Sequence, residues 1–425
     1  MQRPKGTKDI YGLEQILKQQ LEDHLRLIAE LYNYQKIETP IFEQVEVFKR
    51  TVGLSSDIVT KELYEFSDKS NRLMALRPEG TAGIVRAFIQ NNLNNDARFL
   101  KLYYLGQMFR YENPQQGRQR QFNQFGIENF SPKSPYVDAE IIFMAHQILK
   151  DLNIRAKLII NSLGNEQTRV NYREAFIKYL SPFVNELSSD SLKRLHTNPL
   201  RIFDDKVDSK KDFIKKAPRI NEFYTNETSD YFTKVTELLQ IFGVDYEINH
   251  DLVRGLDYYT DTIFEFVPLD AKGSQSTLIA GGRFDHLMTQ MGGPNISGSG
   301  FALGVERIIN ELMTQNQQVS LSRGFVVYIM NLSEKTTTTV LNLVLMLRSE
   351  GFITEWNVKP QKLLKLYTKS NIYNPNVIII VGEQELATNH VNIKIAGHQE
   401  NVAFANIVKY LKTNLSKFRS KNENN

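Results

Sequence analysis

Residues 101–130, KLYYLGQMFRYENPQQGRQRQFNQFGIENF, constrain the fold more than any other stretch. Leu102 to Phe109 is apolar and aromatic enough for a buried strand, Arg110 opens a polar loop, and Gln121 to Phe130 alternates back. The pattern predicts a long-looped hairpin. Arg110, Arg118 and Arg120 stand at the inner ends of its strands and in its loop, where they would face one another across a cleft. Arginine forks so placed suit polyphosphate, which they grip through bidentate, charge-assisted hydrogen bonds. A solvated basic hairpin would use the same residues.

The chain around it has 425 residues, 41% hydrophobic and 24% charged, enough for two or three domains. It has no cysteine, which excludes disulfides, thiolate zinc sites and cysteine nucleophiles. Its seven histidines are scattered, none paired at metal-ligand spacing, so no transition-metal site is expected. No apolar run approaches a membrane span and MQRPKGTKDIYG lacks a signal-peptide core, so the expectation is a cytoplasmic protein with no membrane partner. From Phe325 onward there are 12 Lys+Arg against 7 Asp+Glu, whereas the preceding part holds 40 against 41. A basic C-terminal end suits an acidic partner such as RNA, and a solvated tail equally.

In order, the spacing predicts a helix from about Glu14 to Tyr32 and a strand from Tyr34 to Phe42, which Pro40 confines to an edge or bend. Two strands joined by a turn at Asp68 to Asn71 then lead into Arg77-Pro78-Glu79-Gly80-Thr81 and a helix capped by Thr81 or Gly80. Glu79 and Thr81 at that corner can both reach one ammonium group; a capping turn with a solvent-exposed acid is the plainer reading. A helix over Tyr136 to Leu152 and the strand AKLIINSLG follow. From about 164 to 247 the chain is charged, helical in pattern and low in glycine, like an inserted subdomain, with RLHTNPLRIFD in its middle. Its lysine-rich piece, Lys206 to Lys216, reads as a solvated face or an RNA contact.

LVRGLDYY, Leu252 to Tyr259, would put a guanidinium and two phenols into one pocket, or form a core strand. In TLIAGGRFDHL, Gly281-Gly282 would let the backbone approach a ligand. GSGFALGVERII is a glycine-rich strand running into a helix; it fits neither a P-loop nor the dinucleotide GxGxxG spacing. After a polar linker around Thr314 to Arg323, strands and helices alternate to residue 415, which predicts a small sheet with helices on it. Lys362, Lys365 and Lys369 are expected on one helical face. Residues 416–425 read as a disordered basic tail.

FRYE followed by GRQRQFNQFG resembles motif 2 of class II aminoacyl-tRNA synthetases, in the form found in histidyl-tRNA synthetases. RPKGTKDI, RPEGT, RGLDYYT, TLIAGGRFDHL and GSGFALGVERII resemble further segments of that family, in order and over nearly the whole chain. The resemblance implies an α+β fold: a class II antiparallel sheet flanked by helices, with a helical insertion, as a catalytic domain over 1–324. An α/β anticodon-binding domain over 325–425 is implied beside it. It also implies a homodimer paired through the first helix and strand, and a ligase that activates L-histidine with ATP and transfers it to the 3′ end of tRNA(His). By the same carry-over Glu79, Gly80, Thr81 and Gln124 hold the amino acid's ammonium end. Glu128, Tyr258 and Tyr259 read its imidazole, through one donor and one acceptor nitrogen. Arg254 and Arg110 are the implied catalytic pair at the α-phosphate, with Arg254 also against histidine. Arg110, Arg118 and Arg307 are the implied ATP-binding cations, and Mg²⁺ accompanies the nucleotide.

Five positions depart from the family's usual pattern. Asn113 stands for a basic residue, Gln116 for lysine and Gln119 for an aromatic, in the loop that meets the acceptor end of tRNA; Phe284 stands for tyrosine and His286 for glycine. The resemblance therefore keeps a second class open, a paralogue serving as histidine-sensing regulatory subunit of ATP phosphoribosyltransferase. Such paralogues usually lose motif arginines or the C-terminal domain, which this chain keeps. A plain nucleic-acid-binding module does not account for RPEGT and RGLDYYT.

Overall fold

Leu17, Leu21, Leu25 and Ile28 recur at helical spacing, and they are the buried face of α1 (Gly12–Leu31). The computed structural model describes residues 1–53, 56, 58–115, 117–203, 205, 207–269, 277–314, 326–395 and 397–422. They form two compact units, Met1–Val319 and Ser320–Asn425. After α1 the single strand expected over Tyr34 to Phe42 is instead two, β1 (Gln35–Lys36) and β2 (Phe42–Gln44), in different sheets. Pro40 between them offers no N–H to a ladder. Helix α2 (Val45–Val52) and strands β3 (Glu65–Ser67) and β4 (Leu73–Leu76) follow, and the small sheet runs β2-β4-β3. Its turn forms where expected: Asp68 accepts from the N–H groups of Ser70 and Arg72, and Asn71 takes φ 59°.

The larger sheet grows from the hairpin. After α3 (Thr81–Gln90), β5 (Lys101–Phe109) and β6 (Gln121–Asn129) pair without a break, from Lys101 opposite Asn129 to Phe109 opposite Gln121. Then come α4 (Pro135–Asp151), β7 (Ala156–Ser162), α5 (Glu166–Leu180), α6 (Ser189–Thr197), α7 (Asp212–Lys215) and α8 (Asn226–Ile241). The unit closes with β8 (Tyr246–Ile248), β9 (Thr260–Pro268), β10 (Ile279–Arg283), α9 (Leu287–Gln290), β11 (Ser299–Gly304) and α10 (Val305–Thr314). The eight strands run β1-β5-β6-β11-β10-β9-β7-β8, antiparallel except at β1-β5 and β7-β8. One face of this sheet is apolar: Tyr103, Phe125, Ile127, Phe264, Phe266, Phe301 and Leu303 pack there with α1, α4, α8 and α10.

The stretch from 164 onward is helical as expected, but α8 is not set apart. Phe232, Val235 and Leu239 enter the main core and the helix packs on α4. Leu252 to Tyr259 is irregular chain rather than a strand; β9 starts at Thr260. Gly281 makes a close approach, but to the sheet itself: an added Cβ would lie 2.2 Å from the carbonyl oxygen of Gly300.

In the second unit β12 (Val326–Asn331), α11 (Thr337–Ser349), β13 (Ile353–Trp356), α12 (Leu363–Ser370), β14 (Val377–Val381) and α13 (Glu383–Thr388) precede β15 (His390–Ile395), β16 (His398–Ala403) and α14 (Ile407–Asn422). The sheet order is β13-β12-β14-β15-β16, parallel through β14 and antiparallel after it. Two expectations fail here. Lys362 has extended backbone at the N-cap of α12, just after Pro360, so only Lys365 and Lys369 share the helical face. The expected tail is helical to Asn422, because no glycine or proline interrupts Ile407 to Asn422. The expected linker lies, after Thr314, outside the described residues.

Candidate active site

Strand parity builds the site. Phe125 and Ile127 of β6 turn into the core, so Gln124 and Glu128 turn the other way, onto a cleft of about 470 Å³. Ala280, Gly300, Ala302 and Gly304 keep its floor low, leaving room for a ligand flat on the sheet. Glycine does a second job nearby. Cβ atoms added at Gly80 and Gly126 would lie 2.3 and 2.5 Å from the ring of Tyr104, so these two glycines form the slot that receives it. From that slot the Tyr104 hydroxyl donates to Gln124 Oε1 at 2.9 Å.

One end of the cleft is acidic. Glu79 is 4% exposed, not a solvated acid: its oxygens accept from the N–H groups of Thr81 (2.7 Å) and Ala82 (2.8 Å), capping α3. Thr81 Oγ1 donates to Glu128 Oε1 at 2.6 Å, and Glu128 is 2% exposed. Burial raises the Glu79 carboxyl above the usual carboxylate range, and it raises that of Glu128 well above it, with the Glu79 charge adding to the rise. Tyr258 and Tyr259 lie beside them with ring centres 4.7 Å apart and planes tilted by 43°, and Phe284 meets Tyr258 edge-on at 5.7 Å.

The other end is basic. Arg110 donates from Nε to the Pro78 carbonyl at 2.9 Å and lies over the Phe122 ring at 5.3 Å. Arg118 faces Glu112 at 3.3 Å. Arg307 donates to the carbonyls of Gly117 (3.1 Å) and Thr277 (2.6 Å). Burial lowers the Arg307 pKa, and Arg110 and Arg118 push it down further, which records how closely the three cations converge. Arginine stays charged regardless, so like charges share this end of the cleft, offset in part by the Glu112 and Glu265 carboxylates. Arg254 lines the same cleft, paired with Glu265.

The structure thus gathers Glu79, Thr81, Arg110, Arg118, Gln124, Glu128, Arg254, Tyr258, Tyr259 and Arg307 around one cavity. Gly80 does not line it and serves the Tyr104 slot instead. Arg120 is absent from the lining, against expectation: its guanidinium stacks on Tyr111 at 3.9 Å and donates to the Glu112 carbonyl at 3.1 Å. Of the altered loop residues Gln119 lines the cleft, Asn113 is exposed and Gln116 lies outside the described residues. Phe284 lines the cleft, whereas His286 lines a separate cavity of about 430 Å³ with Arg169, Asn198 and Asp257. In the lysine-rich piece Lys206 lies outside the described residues, and Lys211 is taken up by Asp208 at 2.7 Å. Among the described residues no group of three His, Cys, Asp or Glu could hold a metal, and no helix is long and apolar enough to cross a membrane.

A sequence profile described as histidyl-tRNA synthetase matches residues 6–308, the whole stretch that builds this cleft. The chain belongs to the histidyl-tRNA synthetase family. The profile of an anticodon binding domain matches residues 326–414. The histidine-tRNA ligase of Pediococcus pentosaceus is 42% identical over 414 residues, 96% of this chain and 97% of that protein. That of Bacillus subtilis is 42% identical over 416 residues, 97% of this chain and 98% of the relative. The apo histidyl-tRNA synthetase of S. aureus superposes with a TM-score of 0.83 at 33% identity, over 97% of this chain and 100% of that one.

Within this family cleft, sequence reasoning missed Tyr104, Glu112 and Glu265. The signal for Tyr104 was available: it pairs opposite Gly126 on the hairpin and shares its side of the sheet with Gln124. Glu265 carries no local signal; only the fold brings it to Arg254.

Proposed function

We propose that this chain is a ligase that activates L-histidine with ATP and transfers it to tRNA(His), working in the cytoplasm as a homodimer. The observation that carries this reading is the division of one cleft into a buried acidic pocket and a convergent arginine wall. Glu79, Thr81 and Gln124 take the substrate ammonium group, whose charge offsets the two buried carboxylates. Glu128 and the phenols of Tyr258 and Tyr259 take the imidazole, so donor and acceptor nitrogens are both read. Histidine's carboxylate then points along the floor toward the arginines.

ATP lies with its phosphates on that wall. A carboxylate oxygen of histidine attacks the α-phosphorus, the bond to the β-phosphate bridging oxygen breaks, and pyrophosphate leaves. Arg110 and Arg254 stabilise the charge on the α-phosphoryl oxygens, while Arg118 and Arg307 hold the outer phosphates; the work is positioning and electrostatics. Arg254 Nε is buried without a hydrogen-bond partner, which supports a donor role toward phosphate. A terminal ribose hydroxyl of the tRNA next attacks the adenylate carbonyl and AMP departs. Mg²⁺ fits this site as the ion carried by the nucleotide, because it binds through one or two carboxylates plus substrate phosphates. Glu112, on the arginine wall, is the residue that would face it; when bound, it neutralises phosphate charge.

The retained arginines and the C-terminal unit favour a synthetase over a histidine-sensing regulatory subunit. Pairing of two chains is supported by exposed Leu13, Leu27 and Leu31 on α1 and by Phe42, Phe66 and Leu73 on the small sheet. The test is histidine-dependent ATP–pyrophosphate exchange on the purified protein, with the other amino acids as controls. Exchange with histidine alone is the expected result. A folded protein that binds histidine without exchange would be a sensor.

A further inference from the structure

Arg254 stands on irregular chain before β9, next to Gly255, and a guanidinium on such a segment has no intrinsic direction. Glu265, on β9, supplies one. Its Oε1 accepts from Arg254 Nη1, and its Oε2 accepts from Thr277 Oγ1 at 2.9 Å. The Thr277 carbonyl in turn accepts from Arg307 Nη1 at 2.6 Å. The Arg254 and Glu265 side chains are 18% and 17% exposed, so the pair is shielded from solvent and from counterions. Arg254 is therefore tethered by Glu265 at one end of its fork, with the Tyr259 ring centre 5.7 Å from its guanidinium carbon, and its Nε is buried without a hydrogen-bond partner.

We propose that Glu265 is the positioning residue for Arg254, and that through Thr277 it sets Arg254 and Arg307 in one geometry before ATP binds. The proposal rests on the roles given to these two arginines above. Glu265 touches no reacting atom; it acts by fixing where a donor points, and misplacement of about 1 Å costs on the order of 100-fold in such sites.

The test measures adenylate formation in single turnover, with histidine and ATP titrations and melting curves, on the full chain. Glu265→Gln keeps the shape and an acceptor for Thr277, but its amide NH2 then faces Arg254 Nη1, so the charge and the arginine's acceptor are both lost. It is expected to slow adenylate formation by about 10- to 100-fold, with the histidine KM unchanged. In an Arg254→Ala background the same substitution should cost less than about 2-fold, because the group it positions is gone. Thr277→Val leaves the ion pair and removes only the second anchor, so it covers the case in which Glu265→Gln folds poorly; its expected loss is about 3- to 10-fold. Equal losses in the two backgrounds would overturn the proposal, since Glu265 would then act on the sheet and not through Arg254. Near-normal rates in both Glu265→Gln and Thr277→Val would overturn it too. Absence of exchange from the unaltered protein is a distinct result: it removes the ligase reading and the role of Glu265 with it.

Discussion

The two ends of the cleft solve opposite problems. At the acidic end the polar groups are tied to the protein: Glu79 to two N–H groups of α3, Glu128 to Thr81, Tyr104 to Gln124. At the basic end Arg110, Arg118 and Arg307 crowd one another, and the bonds of Arg307 go to carbonyls rather than carboxylates. The first end is rigid before its ligand comes, which suits selection of one side chain. The second gathers Arg110, Arg118 and Arg307 on one wall of the cleft, which suits charge development in a transition state. Under the proposed reading binding and catalysis are separated in space, and substitutions at the two ends should separate them in kinetics.

Arg254→Ala is the largest expected break. It should lower pyrophosphate exchange by about 100- to 1,000-fold while histidine binding, measured by calorimetry, stays intact. Near-normal activation by that variant would remove the role of Arg254 and collapse the distinction between the ends.

Glu128→Gln probes the acidic end through pH. Burial raises the folded pKa of Glu128 above its unfolded value, so the stability of its protonated form is fully present below pH about 4.3 and is lost as pH rises through the folded pKa. Glutamine cannot ionise and is spared that loss, while still accepting from Thr81. Without ligand, the variant should melt about 1–3 °C above the parent at pH 8, with the gap closing toward pH 4. Its histidine KM should rise by about 10- to 100-fold, the cost of a charge-assisted hydrogen bond to imidazole, with the ATP KM unchanged. A parent that is no less stable at pH 8 than the variant would mean that the buried charge is compensated inside the protein.

Much of this was legible in the sequence because hairpin parity and short motifs are local. Lys101 to Asn129 reads as two strands and folds as two strands, and residues two apart on β6 reach the same cleft. What was not legible depends on partners distant in sequence. Arg120 looked equivalent to Arg110, but both stand beyond the last strand pair, where alternation no longer dictates direction. The Arg120 N–H is taken by the Gly6 carbonyl at 2.7 Å, and Tyr111 takes its guanidinium. Glu265 reads as one polar residue in the alternating strand TDTIFEFVP, and its value appears only once Arg254 is folded against it.

Tyr104→Phe is a finer probe of the acidic end. The ring keeps its slot between Gly80 and Gly126, but Gln124 loses a fixed donor and can rotate. The histidine KM should rise by about 3- to 10-fold, in keeping with one neutral hydrogen bond. An unchanged KM in steady-state exchange would mean that Gln124 is held by packing alone.

The smallest effect belongs to His286, one of the departures from the family's usual pattern. Phe284 and His286 are two apart, and strand parity would put them on the same side. The strand ends at Arg283, however, and the chain turns through Asp285 into α9, so parity lapses after Phe284. Phe284 is buried against Tyr258, while His286 is exposed and lines the second cavity with Arg169, Asn198 and Asp257. His286→Gly should therefore shift the histidine KM by less than about 2-fold, the scale of an exposed substitution. A larger shift would show that the second cavity reports to the first, by way of Arg169, whose Nη1 donates to the Tyr259 carbonyl at 3.4 Å. The selectivity of the acidic end would then be set partly from behind the tyrosines, and the two ends would no longer be the natural units of the site.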